Sequence, residues 1–173
     1  MQDQKLLEAF TQTLRDWQIF YSTVALASVT LAGLLFVSLS IRQERRKENI
    51  NIIRLARGSF GDFLYVLMIG LVFLIPYHTP TGLAVALIVL GLSRSFGLSR
   101  QVVASLRSKS EAATVTSAIR EIALPLLASL GLLVVGIEAF RGDMESIYGL
   151  VIVIAALLGS GSWNAWLILV AEA

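Results

Sequence analysis

The chain has 173 residues, of which 56% are apolar and 15% charged, with a formal net charge of +2. Soluble domains carry about 45–50% apolar and about 25% charged residues, so the surplus apolar side chains have to face lipid. There is no cysteine and one histidine, which excludes disulfides, thiolate chemistry and cysteine- or histidine-rich metal and heme sites within one chain; no cofactor is expected.

Residues 1–16 are polar with scattered leucines and lead into Trp17 and Tyr21, ring types that favour a membrane interface. They do not read as a cleavable signal peptide, because the positive start and an Ala-x-Ala-like site are missing. Residues 19–41 then form an uncharged run of about 34 Å as a helix, enough to cross a bilayer with modest tilt. Within it Thr23-x-x-x-Ala27 and Ser28-x-x-x-Ala32, with Gly33, offer small faces for close helix approach. The plainer reading is that its Ser and Thr hydroxyls bond back to their own backbone.

The stretch from Trp17 to Tyr21 followed by Ser28-Val-Thr-Leu-Ala-Gly-Leu-Leu-Phe-Val-Ser-Leu-Ser-Ile41 resembles the first helix of small bacterial membrane proteins without assigned function, some of them labelled modulators of FtsH protease. The resemblance covers about the first 45 residues and implies the bacterial inner membrane.

A basic connection, 42–59, precedes an apolar run at 60–76. Two prolines, Pro76 and Pro80, mark a hairpin turn around His78, and a second run follows at 81–98, provided Arg94 snorkels to the interface. The polar connection 94–121 contains Ser108-x-x-Glu111, a capping box for the next helix. The fourth crossing, 122–140, has Pro125 in its first turns; a tight link, 141–146, leads to the fifth, 147–170, with Trp163 and Trp166 near its end. The expected fold is all-α: one polytopic membrane helix bundle with five crossings. Both connections show helical periodicity, with Lys47, Asn51, Arg54 and Arg57 opposite Ile52, Ile53, Leu55 and Ala56 in the first.

Sorting charge by position gives an orientation. The connections 42–59 and 94–121 hold eleven of the fourteen basic residues, leaving Lys5, Arg15 and Arg141 for the other side. Basic loops stay in the cytoplasm, so the amino terminus is expected outside and the carboxyl terminus inside.

Few residues suggest chemistry. Asp62, near the start of the second run, reads either as an intramembrane functional acid or, more simply, as a carboxylate complementing a helix amino terminus. Glu138 is a candidate ion-binding group or the i,i+3 partner of Arg141. Gly159-Ser160-Gly161-Ser162 and Asn164 permit a close crossing through Gly159 and Gly161, or line a polar path with Ser160 and Asn164; Thr30 and Ser38 belong to the corresponding stripe on the first helix. His78 is a pH sensor or an ordinary turn residue. Arg42, Arg45, Arg46 and Lys47 suit anionic lipid headgroups; without aromatic interleaving they do not suit nucleic acid. No catalytic motif is present, so an enzyme is not expected. Two classes stay open: a scaffold subunit that assembles with itself or a membrane partner, and a subunit of an oligomeric channel or transporter with its pore on the symmetry axis.

A reporter active only in the cytoplasm is predicted to work when inserted at Asn49 or Ser110 or fused after Ala173, and to be silent at His78 or Gly142. Activity at His78 would reverse the orientation.

Overall fold

A computed structural model describes residues 2–41, 50–76, 79–107, 115–143 and 145–170. The fold is all-α. Its helices are α1 (Gln2–Ile41), α2 (Ile50–Leu74), α3 (Pro80–Arg107), α4 (Val115–Phe140) and α5 (Tyr148–Val170), with a short 3-10 turn, Glu145–Ile147, ahead of α5. Four segments are long and apolar enough to cross a membrane: Arg15–Ile41, Ile52–Leu74, Pro80–Arg100 and Glu145–Val170. In α4 the described apolar part, Pro125–Phe140, is shorter.

The helices run further than the apolar stretches. The polar lead-in is continuous with α1, and Arg54, Arg57 and Gly58 lie inside α2 rather than in a separate helix before it. A helix has no reason to stop where its outer face turns polar if its inner face stays apolar. Ala56 is buried and Ile52 and Leu55 are half-buried, while Arg54 and Arg57 are exposed. Ile53 departs from that pattern and is exposed as well. Pro125 sits well inside α4, because this helix starts at Val115. The proline removes the bond to the carbonyl four residues earlier. The Ser108–Glu111 capping box falls outside the described residues.

Local chemistry sets the described helix ends. Thr79 caps α3: its Oγ1 accepts from the Gly82 amide at 3.1 Å and its carbonyl from the Leu83 amide at 3.0 Å, with Pro80 at the first helical position. At the end of α4 the amide of Gly142 donates to the Ala139 carbonyl at 3.1 Å and that of Asp143 to the Glu138 carbonyl at 3.0 Å. This is a Schellman stop, and it needs Gly142 at φ 93°, a conformation open to glycine at little cost. Asp143 then accepts from the Glu145 amide at 3.0 Å and starts the turn into α5.

The chain divides into two compact units, Met1–His78 with Leu157–Ala173, and Thr79–Ala156. The first contains the α1–α2 pair and the later part of α5; the second contains the α3–α4 pair and the earlier part of α5. In the first unit Leu35, Ala56, Phe63 and Ile168 form a buried cluster drawn from all three helices, with Ala32 and Leu39 packed against it. At the other end of the α1–α2 pair Tyr21 is fully buried and stacks on Phe73, with ring centroids 3.8 Å apart and planes 9° from parallel. In the second unit the contacts pair bulk with glycine in both directions. A β-carbon on Gly91 of α3 would lie 2.8 Å from the Leu133 side chain, and one on Gly136 of α4 would lie 2.8 Å from Ile88. The residue numbers fall on one helix as they rise on the other, as antiparallel packing requires.

Between Tyr21 and Leu35, Gly70 brings α2 onto α1. A β-carbon there would lie 2.8 Å from Ala25 Cβ and 3.0 Å from the Tyr21 carbonyl oxygen, which cannot swing aside as a side chain can. Gly70→Ala is therefore predicted to lower stability by about 1–3 kcal/mol in a detergent unfolding titration. Gly61→Ala, on the same helix with open space around it, should leave stability unchanged or slightly higher.

Candidate functional site

In the first unit α2 and α5 approach each other at two glycines. The Asn164 amide nitrogen lies 3.8 Å from where a β-carbon on Gly58 would be, and Gly161 receives the edge of the Phe63 ring, whose Cε1 would be 2.8 Å from an added β-carbon. Between these contacts, on α2, are Ser59 and Asp62, both buried, with Asp62 only 4% exposed. α2 begins at Ile50, about three turns before Asp62, so the free amides of a helix start are out of its reach. The helix-terminus explanation for this carboxylate does not apply, although Asp62 does engage a partner within the chain.

Ser59 is different in kind. Its hydroxyl is fully buried and has no hydrogen-bond partner, as is the Tyr21 hydroxyl on α1. An unsatisfied buried hydroxyl costs about 1–3 kcal/mol. On α1 the hydroxyls of six serines and threonines close on their own helix. In α1 Ser22 and Thr23 both donate to the Ile19 carbonyl (2.9 and 2.7 Å), Ser28 to Ala25 (2.8 Å), Thr30 to Leu26 (2.9 Å), Ser38 to Leu34 (2.8 Å) and Ser40 to Phe36 (2.9 Å). Thr30 and Ser38 thus have their protons committed inside the helix.

The small residues of α1 and α5 separate into two groups. Ser28 is fully buried, Ala32 is half-buried against the core cluster, and Gly161 is buried under Phe63. Thr23, Ala27, Gly33 and Gly159 lie on exposed faces, and β-carbons on Gly33 or Gly159 would meet nothing within 4 Å. Ser160 and Asn164 are half-buried. Glu138, in the second unit, accepts from Arg141 Nη1 at 2.8 Å, an exposed i,i+3 ion pair at the end of α4. Arg94 in α3 is 5% exposed and engaged within the chain, so its long stem does not carry the charge outward as a snorkelling residue would. Arg42, Arg45, Arg46, Lys47 and His78 lie outside the described residues.

Sequence reasoning did not single out Gly70, Gly91, Gly131 or Gly136 as contact points, nor Ser59 as a buried orphan. Spacing held a usable signal for two of them. Gly131 and Gly136 stand five apart in α4 and receive Val153 from α5 and Ile88 from α3, so this helix is thinned on two faces.

Chemically, this stretch of the two helices carries a buried carboxylate and a buried hydroxyl on α2 and a half-buried carboxamide on α5, groups suited to hydrogen bonding. Among the described residues no three of His, Cys, Asp and Glu come together as metal ligands would. Comparison with protein families, with curated proteins and with solved structures finds no match.

The Gly161–Phe63 contact gives a pairwise test. Gly161→Ala is predicted to cost about 1–2 kcal/mol in unfolding free energy, and much of that loss should be recovered by adding Phe63→Leu, which withdraws the ring edge. Additive effects of the two substitutions would show that the contact does not set the fit.

Proposed function

We propose that this protein is a small scaffold or interaction subunit of the bacterial inner membrane, amino terminus outside and carboxyl terminus cytoplasmic, which assembles with itself or with a membrane partner and carries out no catalysis. The observation that carries this reading is the contrast among its small residues. Gly70, Gly91, Gly136 and Gly161 are filled by neighbours within the chain, whereas Gly33 and Gly159 stand open on exposed faces of apolar helices. Glycine is an expensive helix residue, costing about 1 kcal/mol relative to alanine. An open glycine on a membrane helix is a place where another backbone can come close, which is how helices associate where no hydrophobic effect acts. The resemblance of the first helix to inner-membrane proteins agrees with the compartment, and the basic connections with the orientation.

The other reading, a subunit of an oligomeric channel or transporter, needs a continuous polar face. The hydroxyls of Thr30 and Ser38 on α1 are back-bonded and could offer a permeating solute acceptor oxygens alone. The half-buried Ser160 is where the two readings part.

Gly33→Leu and Gly159→Leu are predicted to shift the protein toward monomer in lipid, by about tenfold in dissociation constant for the two together, with unfolding free energy little changed. Sedimentation or energy transfer between labelled copies measures the first quantity, and a denaturant titration the second. Ala32 is unsuitable for this test because it packs in the core cluster. Ser160→Cys should resist a water-soluble thiol reagent; rapid labelling, with ion flux abolished by Ser160→Leu, would replace the scaffold by the channel.

A further inference from the structure

We propose that the end of α3 holds an anionic phospholipid, its phosphate on the guanidinium of Arg100 and one acyl chain along the stripe of Phe96, Leu92, Val89 and Val85. The proposal does not rest on the assembly reading and uses none of its residues.

From Val85 to Arg100 these positions follow one another at intervals of four, three, four and four residues, which puts them on one side of the helix. Arg100 is exposed, and the four apolar residues are 47% to 62% exposed, so this side of α3 faces outward from the chain. Arg100 closes the apolar span Pro80–Arg100. The stripe therefore runs from the headgroup boundary into hydrocarbon for about 22 Å, more than the roughly 15 Å depth of one leaflet.

Helical side chains tilt toward the amino terminus, which for Arg100 means back along the span. Its guanidinium carbon accordingly lies over the Phe96 ring, 5.0 Å from the centroid. A ring attracts the charge but offers no acceptor oxygen, and phosphate oxygens match the planar fork of arginine.

Charge selects the lipid. α3 contains no Asp or Glu. With Gly91 against Leu133 and Gly136 against Ile88, α4 runs antiparallel to α3, so Glu138 stands near the start of α3, about 20 Å along the axis from Arg100, and is paired with Arg141. Asp143 and Glu145, the other described carboxylates of this unit, follow in the turn at that same end. A zwitterionic lipid brings its own ammonium to Arg100 and gains less.

The chain has no cysteine, so Leu92→Cys supplies a single thiol for a fluorophore one turn before Phe96. The labelled full chain is reconstituted at low protein-to-lipid ratio in phosphatidylcholine vesicles with a minority of phosphatidylglycerol, and one lipid at a time carries a nitroxide on its chain. Quenching by the nitroxide phosphatidylglycerol should exceed its share of the bilayer by about fivefold, the scale expected for one basic residue near a charged surface. Adding Arg100→Gln should bring the quenching down to the lipid's share, whereas adding Arg57→Gln, at an exposed arginine of α2, should leave the preference in place. If the Arg100→Gln protein does not reconstitute, added salt should erode the preference of its parent. Quenching in proportion to abundance in the parent, a preference that survives Arg100→Gln or salt, or an equal loss in Arg57→Gln overturns the proposal.

Discussion

Helices that are apolar on their outer faces as well as their inner ones have no hydrophobic gradient pulling them together in lipid, and their association rests on how closely the backbones can fit. That constraint runs through both units. Gly70 admits Ala25 and Tyr21, Gly91 admits Leu133, Gly136 admits Ile88, and Gly161 admits the Phe63 ring. Each contact places a bulky or rigid group over a residue with no side chain, so dispersion is gained at short range over the length of a helix pair. The Leu35–Ala56–Phe63–Ile168 cluster fills the remaining space in the first unit and joins its three helices.

Polar groups follow a second constraint, that nothing able to hydrogen-bond should be left bare among hydrocarbon. The α1 hydroxyls satisfy it locally by bonding to the preceding turn, which leaves this helix outwardly apolar despite its many serines and threonines. Asp62 and Arg94 both engage partners within the chain, although the Nε of Arg94 is buried without a hydrogen bond. The Tyr21 and Ser59 hydroxyls do not satisfy it, and both lie in the first unit, in well-packed surroundings. The phenol ring of Tyr21 is held by its stack on Phe73, so the ring's packing outweighs what its hydroxyl lacks.

How much of this was legible in the sequence follows from what each signal measures. Apolar run length located the helices, proline located the turn before α3, and the short polar link at 141–146 located the end of α4, because all three act through the local backbone. Composition put the start of the second helix too late: the helical periodicity of the connection was legible, but its part from residue 50 onward belongs to α2 itself, since one buried stripe of Ile52, Leu55 and Ala56 is enough to keep a helix going. That error also changed the reading of Asp62, which is terminal to the apolar run but not to the helix. The packing glycines were the least legible feature. Spacing shows that Gly33 and Gly70 are both small, but whether a neighbour fills the gap depends on the azimuth of a second helix, which no local pattern encodes. The α2–α5 contact was hidden for the same reason, its two halves standing about a hundred residues apart.

The division of α5 between two units bears on the order in which the protein can mature. Its later part completes the unit that begins with α1 and α2, while its earlier part belongs to the unit that comes between them in the chain. A ribosome delivers α1 and α2 first, but Gly58 and Phe63 of α2 cannot meet Asn164 and Gly161 until all of α3 and α4 have been made. During that interval the ring of Phe63 lacks the small residue it packs on in the finished protein. Late closure also makes the last helix a checkpoint: a chain truncated before Leu157 has every residue of its α1–α2 hairpin and still lacks the α2–α5 contact.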